Sequence, residues 1–313
     1  MSAAIVELDR VTKRFGRVTA VDGVSLSLHA GRPLGVVGES GCGKSTTARL
    51  IVGLERPSDG ALRFNGTPYG RSARALRSAR KAIGMIFQDP YESIDGRFTV
   101  GDVVAEPLDT HGVARGARAE RIRELLDSVG MGGIDPGAYP AQFSGGQRQR
   151  IGIARALALD PELVVCDEPT SALDVSVQAQ ILNLLLELQR ERGVGLLVIS
   201  HDLHVVRRMS DEVAVMYAGM VVEQGPAEDV TRSPRHPYTR ALLDAIPGTS
   251  PAERRLSGRP RAAEGIASAA VAGCPYSTRC PLVTDICRAE KPALEGGGHA
   301  VACHHADAAA TAK

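Results

Sequence analysis

Tryptophan is absent from this chain of 313 residues, and aromatic side chains make up only 4% of it. Proteins that bind single-stranded nucleic acid commonly stack bases on aromatic rings, so this scarcity disfavours that class. An excess of one charge is also missing, because 37 Lys and Arg residues are balanced by 36 Asp and Glu residues. We therefore expect no general attraction to nucleic acid or to an anionic membrane.

Long apolar runs are missing as well. The sequence contains no apolar stretch of about 18 residues, the length needed to span a bilayer. Its first residues, MSAAIVELDRVTKRF, lack the basic segment followed by an apolar run that marks a secretory signal. We therefore expect the chain in the cytoplasm, a reducing compartment in which clustered cysteines indicate a metal more than disulfides.

Short apolar segments alternate with amphipathic ones along most of the chain. Continuous apolar strands separated by helices are typical of a parallel sheet covered on both faces. This predicts an α/β fold over residues 1–230, interrupted by a helical insert at about 89–154, with a separate extension over 231–313 that is loop-rich at 247–273. Strands are predicted at AIVEL, VSLSLH, PLGVVG, ALRFNG, AIGMIFQ, LVVCDE, GLLVIS, EVAVMYAG and MVVEQG, and helices at Lys44 to about Leu54, 100–108, 118–129, 175–192, just after GLLVIS, and at PYTRALLDAI.

A glycine-rich segment, GESGCGKS, follows the apolar strand PLGVVG and precedes a predicted helix. This pattern and context are typical of a phosphate-binding loop, in which glycines let backbone N–H groups turn towards phosphates at a helix N-terminus. We expect Lys44 to reach the β and γ phosphates of a nucleotide and the Ser45 hydroxyl to bind Mg²⁺. The predicted nucleotide-binding residues here are Gly38, Glu39, Ser40, Gly41, Cys42, Gly43, Lys44, Ser45 and Thr46.

Two acidic residues end a second apolar segment, LVVCDEPT. In phosphate-loop enzymes an acidic residue at the end of a buried strand is a second protein ligand of the metal, which predicts Asp167 as a Mg²⁺ partner. Glu168 comes next and is placed to polarise a water for attack on the γ phosphate. An acidic strand end that only caps the following helix is the alternative.

The segment FSGGQRQRIGIARAL is more specific than either pattern. Ser144, Gly145, Gly146 and Gln147 resemble the signature motif of the ATP-binding cassette (ABC) family, with Phe143 where that family more often has Leu. The resemblance covers Ile5 to about Gly225 and implies a P-loop ABC nucleotide-binding domain that hydrolyses ATP with Mg²⁺. It also implies pairing with a second ABC ATPase, head to tail, with the signature of each domain closing over the ATP of the other.

Four further positions resemble known elements of the same family. Gln88 resembles the glutamine that joins the core to the helical insert and senses Mg²⁺ and the attacking water. Asp174, in SALD, resembles the segment that communicates across the dimer. His201 resembles the switch histidine that contacts the γ phosphate, and Phe15 resembles the aromatic residue that stacks on adenine.

Three segments show a finer resemblance, to the peptide and nickel importer subfamily and within it to F-type dipeptide and oligopeptide ATP-binding subunits. They are GESGCGKSTTARLIVGLERPSDG, MIFQDPYESIDGRFTVGDVVAEPL and, above all, RHPYTRALLDAIP. This resemblance implies that the chain powers peptide uptake and lies at the cytoplasmic face of the membrane. The implied partners are two permease subunits, a distinct ATPase chain and an extracytoplasmic solute-binding protein. A nickel or other small-solute importer, and a soluble ABC ATPase, are the alternatives. The segment SIDGRF departs from the subfamily pattern near the surface that would contact a permease.

Four of the six cysteines lie close to the end of the sequence, separated by five, six and fifteen residues. The spacing lacks the close CxxC pairs of structural zinc sites. Four thiolates in a loop-rich segment can instead hold an iron–sulfur cluster, and the subfamily resemblance implies a [4Fe–4S] cluster. Zinc, and free or partly oxidised thiols, remain alternatives for Cys274, Cys280, Cys287 and Cys303.

Overall fold

Two sheets organise the protein, which is described by a computed structural model over residues 3–69, 72–245 and 272–306. One sheet has four antiparallel strands in the order β2-β1-β4-β5, and the other has seven in the order β11-β10-β9-β3-β8-β7-β6. The strands are β1 (Ala4–Phe15), β2 (Val18–His29), β3 (Leu34–Val37), β4 (Asp59–Phe64), β5 (Thr67–Pro68), β6 (Ile83–Ile86), β7 (Leu163–Asp167), β8 (Gly195–Ser200), β9 (Glu212–Tyr217), β10 (Met220–Pro226) and β11 (Ala300–Val301).

Helices surround the larger sheet and form the insert between two of its strands. The predicted α/β architecture is confirmed, with strands β6, β7, β8, β3 and β9 parallel to one another. The helices are α1 (Lys44–Ile51), α2 (Ala73–Ala82), α3 (Val100–Thr110), α4 (Arg115–Ser128), α5 (Gly145–Ala156), α6 (Val175–Arg192), α7 (Leu203–Met209), α8 (Ala227–Arg232), α9 (Pro237–Asp244) and α10 (Asp285–Ala289). Within the described ranges, no helix is both long and apolar enough to cross a bilayer.

Apolar faces of α3, α4 and α5 build the core of the helical insert. The predicted stripe on α4 is confirmed in part by Leu125, Leu126 and the following Val129, which are fully buried, while Ile122 packs against them. The same cluster continues into β7 and α6, so the insert shares a core with the larger sheet. Packing therefore fixes the start of α5 relative to the strands that carry the site.

Several predicted boundaries are wrong by a few residues. Helix α1 ends at Ile51 rather than near Leu54, because Gly53 adopts the left-handed conformation (φ 72°) that terminates helices. Helix α4 begins three residues before the predicted 118, and β1 and β2 extend over 12 residues each. Helices α2, α8 and α10 and strands β5 and β11 are not predicted by the sequence patterns.

The C-terminal region packs onto the larger sheet. Strand β11 pairs antiparallel with β10, and the fully buried Glu223 carboxylate bonds to His299 Nε2 at 2.7 Å and accepts the backbone N–H groups of Arg235 and His236. Charge-assisted bonds of this kind satisfy a carboxylate that burial would otherwise destabilise. The predicted loop-rich stretch at 247–273 lies almost entirely outside the described residues.

Candidate active site

The predicted phosphate-binding segment forms the loop between β3 and α1 over residues 38–43, and its last two residues, Lys44 and Ser45, begin α1. Gly43 is the N-cap of α1 with φ 107°, a conformation that side chains strongly disfavour. A Cβ atom on Gly38 would lie 2.2 Å from the Met216 carbonyl oxygen, and one on Gly43 would lie 2.3 Å from that of Ala20. Glycine is therefore required where the loop passes between two neighbouring backbones, and the loop ends at a helix N-terminus that favours anions.

The side chain of Lys44 points back into this loop and is buried. Its ammonium group donates to the carbonyl oxygens of Gly38 at 2.7 Å and Glu39 at 3.0 Å. The neighbouring Ser40 and Gly41 are exposed, Cys42 is buried, and Ser45 and Thr46 are half-buried. The loop thus combines an accessible backbone with a fixed positive charge, as phosphate binding requires.

Ser45 and Asp167, distant in sequence, meet at the start of α1. The Ser45 hydroxyl donates to Asp167 Oδ1 at 3.0 Å. Burial raises the pKa of the Asp167 carboxyl, while the bond from Ser45 and the nearby Arg49 and Lys44 act against that shift. A hydroxyl and a carboxylate oxygen side by side are the hard ligands that Mg²⁺ prefers, so these residues fit the predicted metal.

Three strand ends converge on the Glu168 carboxylate. Glu168 follows β7, His201 follows β8 and Gln88 lies two residues beyond β6, all at the carboxyl edge of the parallel sheet. Glu168 Oε2 lies 3.1 Å from His201 Nδ1 and 3.4 Å from Gln88 Nε2, and Oε1 lies 4.0 Å from Lys44 Nζ. The arrangement places a carboxylate, an imidazole and an amide beside the phosphate loop.

The signature segment opens α5 with a reciprocal cap. Ser144 Oγ accepts the N–H of Gln147, whose side chain accepts the N–H of Ser144 at 2.9 Å. A Cβ atom added to Gly145 would contact Tyr91 and Leu173, and one added to Gly146 would meet Val177. The atoms nearest to the phosphate-loop glycines are different ones and include the carbonyl oxygens of Met216, beside Gly38, and of Ala20, beside Gly43.

Two further predicted residues, Phe15 and Asp174, are exposed. Phe15 ends β1 with 46% of its surface exposed, and the Lys13 ammonium lies 4.7 Å from its ring centroid. Asp174 is exposed at the N-cap of α6, next to Val175, which is 82% exposed. One ring and one helix start are thus open to a ligand or a partner.

Two residues that contact the phosphate loop, Tyr238 and Arg279, are not identified by any sequence pattern as site residues. Tyr238 Oη accepts the backbone N–H of Glu39 at 2.9 Å, and the Arg279 guanidinium bonds to both Glu39 carboxylate oxygens at 2.9 and 3.0 Å. Tyr238 lies within the segment that carries the subfamily resemblance, but no sequence pattern links positions 39 and 279. The sequence patterns therefore assign no part of the C-terminal region to the nucleotide site.

The four C-terminal cysteines are electrostatic neighbours. Burial raises the pKa of the Cys274 thiol to about 11, and Cys280, Cys303 and Cys287 add to the shift. The Cys274 N–H donates to the Cys287 carbonyl at 2.8 Å. However, in the part of the chain that the structure describes, no three His, Cys, Asp or Glu side chains are arranged to hold a metal ion, so the geometry does not support the predicted iron–sulfur cluster or zinc.

Comparisons with known proteins agree with this site. Residues 21–171 match the family model described as ABC transporter, and residues 222–287 match that of the oligopeptide/dipeptide transporter C-terminal region. The chain is 48% identical over 295 residues to the oligopeptide transport ATP-binding protein OppF of Salmonella typhimurium, with 92% of this chain and 88% of the relative covered. It is 44% identical over 298 residues to the di/tripeptide transport ATP-binding protein DppF of Pseudomonas aeruginosa, with 94% and 92% covered.

A solved structure extends the comparison to the fold. The dimeric post-hydrolysis structure of the ATP-binding cassette MJ0796, bound to ADP and Pi, shares 30% identity with a TM-score of 0.64, over 71% of this chain and 98% of that one. The phosphate loop, the carboxylate at the strand ends and these similarities all indicate an ATP-hydrolysing domain of the same family. The chain therefore belongs to the ATP-binding proteins of the ABC transporter family and is an ATPase.

Proposed function

We propose that this ATPase powers the import of dipeptides or oligopeptides across the cytoplasmic membrane. The similarity to OppF and DppF over more than nine-tenths of the chain, together with the match of its C-terminal region, supports this substrate class. ATP hydrolysis is supported most directly by the side chains of Lys44, Gln88 and His201, which surround the Glu168 carboxylate.

Backbone N–H groups of the 38–45 loop and the Lys44 ammonium bind the nucleotide phosphates. Ser45, Asp167 and Gln88 are the residues that would hold Mg²⁺, and the bound ion would supply positive charge to the phosphate oxygens. Phe15 offers an exposed ring for the adenine base. The groups for the phosphates and Mg²⁺ are fixed by the β3–α1 turn, the end of β7 or the end of β6, so little reorganisation is needed when they bind.

Glu168 is the general base of the reaction. Its carboxylate accepts a proton from the water that attacks the γ phosphate, a role that typically contributes about 10²–10⁴-fold to the rate. His201 and Gln88 hold Oε2 in place, and Lys44 offsets its negative charge. The Glu168 backbone is itself in the left-handed region (φ 45°), a costly conformation that concentrates at functional sites.

The signature helix start completes the ATP site of a second ATPase subunit. In one chain this segment packs against Tyr91, Leu173 and Val177, whereas the phosphate loop packs against Ala20, Met216 and Tyr238. These separate surroundings favour a nucleotide sandwiched between subunits, with Asp174 and Val175 exposed near the junction. We propose that the partner is a distinct ATPase chain.

A cleft of about 970 Å³ between the sheet edge and the helical insert is the proposed permease site. It is lined by basic, acidic and apolar side chains, including Arg49, Glu106 and Phe87, and it reaches Gln88 and Asp167. A short amphipathic helix from a membrane subunit would therefore contact residues linked to the Mg²⁺ and water positions. Two permease subunits would hold the chain at the cytoplasmic face of the membrane, and an extracytoplasmic solute-binding protein would deliver the peptide.

The C-terminal boundary and the cysteine site stay predictions. We keep a nucleotide-binding domain over 1–230 and an extension over 231–313, although the extension packs on the core sheet. A [4Fe–4S] cluster, with zinc as the alternative, also stays a prediction, and it rests on the four cysteines of this segment and on the subfamily resemblance. Iron, sulfide and zinc analysis of anaerobically purified protein decides between them, and absence of all three would reject both.

Uptake measurements test the proposed function. A strain lacking this gene should lose import of a labelled dipeptide or hexapeptide, and the unmodified gene should restore it. Glu168→Gln should not restore import, whereas Glu187→Gln, on an exposed position of α6, should. Normal peptide uptake in the deletion strain, with loss of labelled nickel uptake instead, would contradict the peptide assignment and favour a nickel importer.

A further inference from the structure

The C-terminal region holds the phosphate loop through Glu39. Two terminal nitrogens of Arg279 bond to the two Glu39 carboxylate oxygens, and about a quarter to a third of each side chain is exposed (24% and 31%). Exposed ion pairs contribute little in general, but a bidentate arginine–carboxylate fork in a half-buried place is among the exceptions. This contact joins residues 240 positions apart.

A cluster of aromatic rings fixes the geometry of this contact. The ring of Tyr217 lies 4.6 Å from that of Tyr238 and 5.2 Å from that of Tyr276. The Arg279 guanidinium carbon lies 5.9 Å from the Tyr217 ring and 5.7 Å from the Tyr276 ring. The guanidinium is therefore oriented before any nucleotide binds, which lowers the entropic cost of holding Glu39.

Every polar group of Glu39 is engaged at the entrance of the loop. Its N–H donates to Tyr238 Oη, its carbonyl accepts from Lys44 Nζ and the Cys42 N–H, and its carboxylate accepts from Arg279. A displacement of residue 39 would therefore move the groups around the Lys44 ammonium. An unpaired Glu39 carboxylate would also repel a polyanionic triphosphate arriving at the same loop.

We infer that Arg279 is a positioning residue of the nucleotide site: its guanidinium neutralises Glu39 and, with Tyr238, holds the entrance of the phosphate loop in its binding shape. The inference rests on the proposed ATP site. It gives the C-terminal extension a part in ATP affinity that is separate from any metal held by its cysteines.

Nucleotide titration of the full chain tests this inference. In a Glu168→Gln background, which slows ATP consumption, Arg279→Ala should raise the Kd for MgATP by roughly three- to tenfold. In the otherwise unmodified chain, kcat at saturating ATP should change less than twofold, because Arg279 does not touch the reacting atoms. Arg279→Lys keeps the charge but loses the fork, and should raise Kd by about two- to threefold.

Two controls separate positioning from folding. Arg288→Ala removes an exposed arginine of the same region, paired only with Asp285 in the described contacts, and should leave Kd unchanged. In a Glu39→Gln background, Arg279→Ala should change Kd less than twofold, since no charge is left to neutralise. An equal effect of Arg279→Ala in both backgrounds would overturn the inference.

A failure of Arg279→Ala to fold, or of the parent protein to bind MgATP, also leads to a clear conclusion. If Arg279→Ala fails to fold, an unchanged Kd in Arg279→Lys overturns the inference and a raised Kd supports it. If the parent protein binds MgATP and neither Arg279 variant changes Kd, only this inference fails. If the parent protein binds no MgATP, the proposed ATP site fails with it.

Discussion

The Glu168 carboxylate shows how single residues acquire their chemistry from the sheet. Gln88, Glu168 and His201 are far apart in sequence, yet each follows a strand of the parallel sheet on the same edge. Parallel strands bring their carboxyl ends together, so residues just beyond them collect at one place. A base placed this way is held by backbone geometry rather than by flexible loops.

His236 gives the protein a predicted acid sensitivity. Its ring is buried, with Nδ1 accepting the Tyr238 N–H at 3.0 Å, and burial lowers its pKa to about 4. Because the unfolded chain takes up the proton near pH 6.5 and the folded chain does not, the stability from this residue is lost as pH falls from about 6.5 to 4. The expected loss is roughly 3 kcal/mol in the free energy of unfolding.

Denaturant unfolding at pH 7 and pH 4 measures this effect. His236→Asn can still accept the Tyr238 N–H through its side-chain oxygen but does not titrate, so its stability should fall less between these pH values by about that amount. Equal losses in the two proteins would show that His236 takes up its proton at an ordinary pKa in the folded state.

At the scale of elements, long amphipathic and fully apolar segments are predictable. Helix α6 is predicted at 175–192 and observed there, because Ile181, Leu185 and Leu188 form a buried stripe and Gly193 ends the helix at φ 64°. Strand β8 is likewise predicted in full, since all six of its residues are buried. In such elements the residues that the local pattern marks as apolar are also the ones buried in the fold, so the sequence alone predicts the type and bounds of the element.

Other elements are not predictable for physical reasons. Helix α2 fully buries only Ala79, and its apolar face of Ala75, Leu76 and Ala79 is small and set among many charged residues, so the pattern is hard to recognise in the sequence. Strand β1 is interrupted by register shifts, and Arg10 within it has φ 48°, which breaks the alternation that identifies strands. Strand β11 has two residues and exists only through its pairing with β10.

Close packing of β6 against α5 should depend on one glycine. A Cβ atom on Gly84 would lie 2.3 Å from the backbone oxygen of Ala156, so Gly84→Ala should push the strand from the helix and destabilise the fold by about 1–3 kcal/mol. Gly152 lies inside α5, and a Cβ atom added there would meet no atom within 4 Å apart from its chain neighbours and the backbone of its own helix. Gly152→Ala should instead stabilise by about 0.5–1 kcal/mol.

Thermal and denaturant unfolding of the two variants tests this packing. The two substitutions add the same methyl group, one at the contact between β6 and α5 and one to α5 away from that contact, so opposite signs are the diagnostic result. An unchanged free energy of unfolding in Gly84→Ala would mean that β6 and α5 are not in close contact.

At the scale of the whole molecule, the phosphate loop, the signature segment and the α/β order can be predicted, but the role of the C-terminal region cannot. Its contacts with Glu39, Glu223 and β10 join positions tens to hundreds of residues apart. No local pattern encodes such contacts, because they arise from the packing of the finished fold. The cysteines are the most conspicuous feature of the C-terminal sequence. In the structure, however, the side chains of this region that bond to Glu39 of the phosphate loop are Arg279 and Tyr238.

The two-subunit site makes a prediction that separates binding from hydrolysis. Ser144→Arg adds a bulky side chain to the signature helix start, outside the chain's own phosphate loop, and should leave the Kd for MgATP within about twofold. In the complex with the partner ATPase, hydrolysis at the site that this signature closes should fall at least about tenfold. A Kd increase as large as that of Lys44→Ala would place the signature on the chain's own nucleotide and contradict the shared site.

The measurement closest to the central claim is ATP hydrolysis by the assembled transporter carrying Glu168→Gln in this chain. Because Lys44, Ser45 and Asp167 are left intact, MgATP should bind with unchanged Kd. Single-turnover hydrolysis at this site should fall by about 10²–10⁴-fold, since the water loses its base. Hydrolysis at an undiminished rate would contradict the assignment of Glu168 and, with it, the catalytic site described at the ends of β6, β7 and β8.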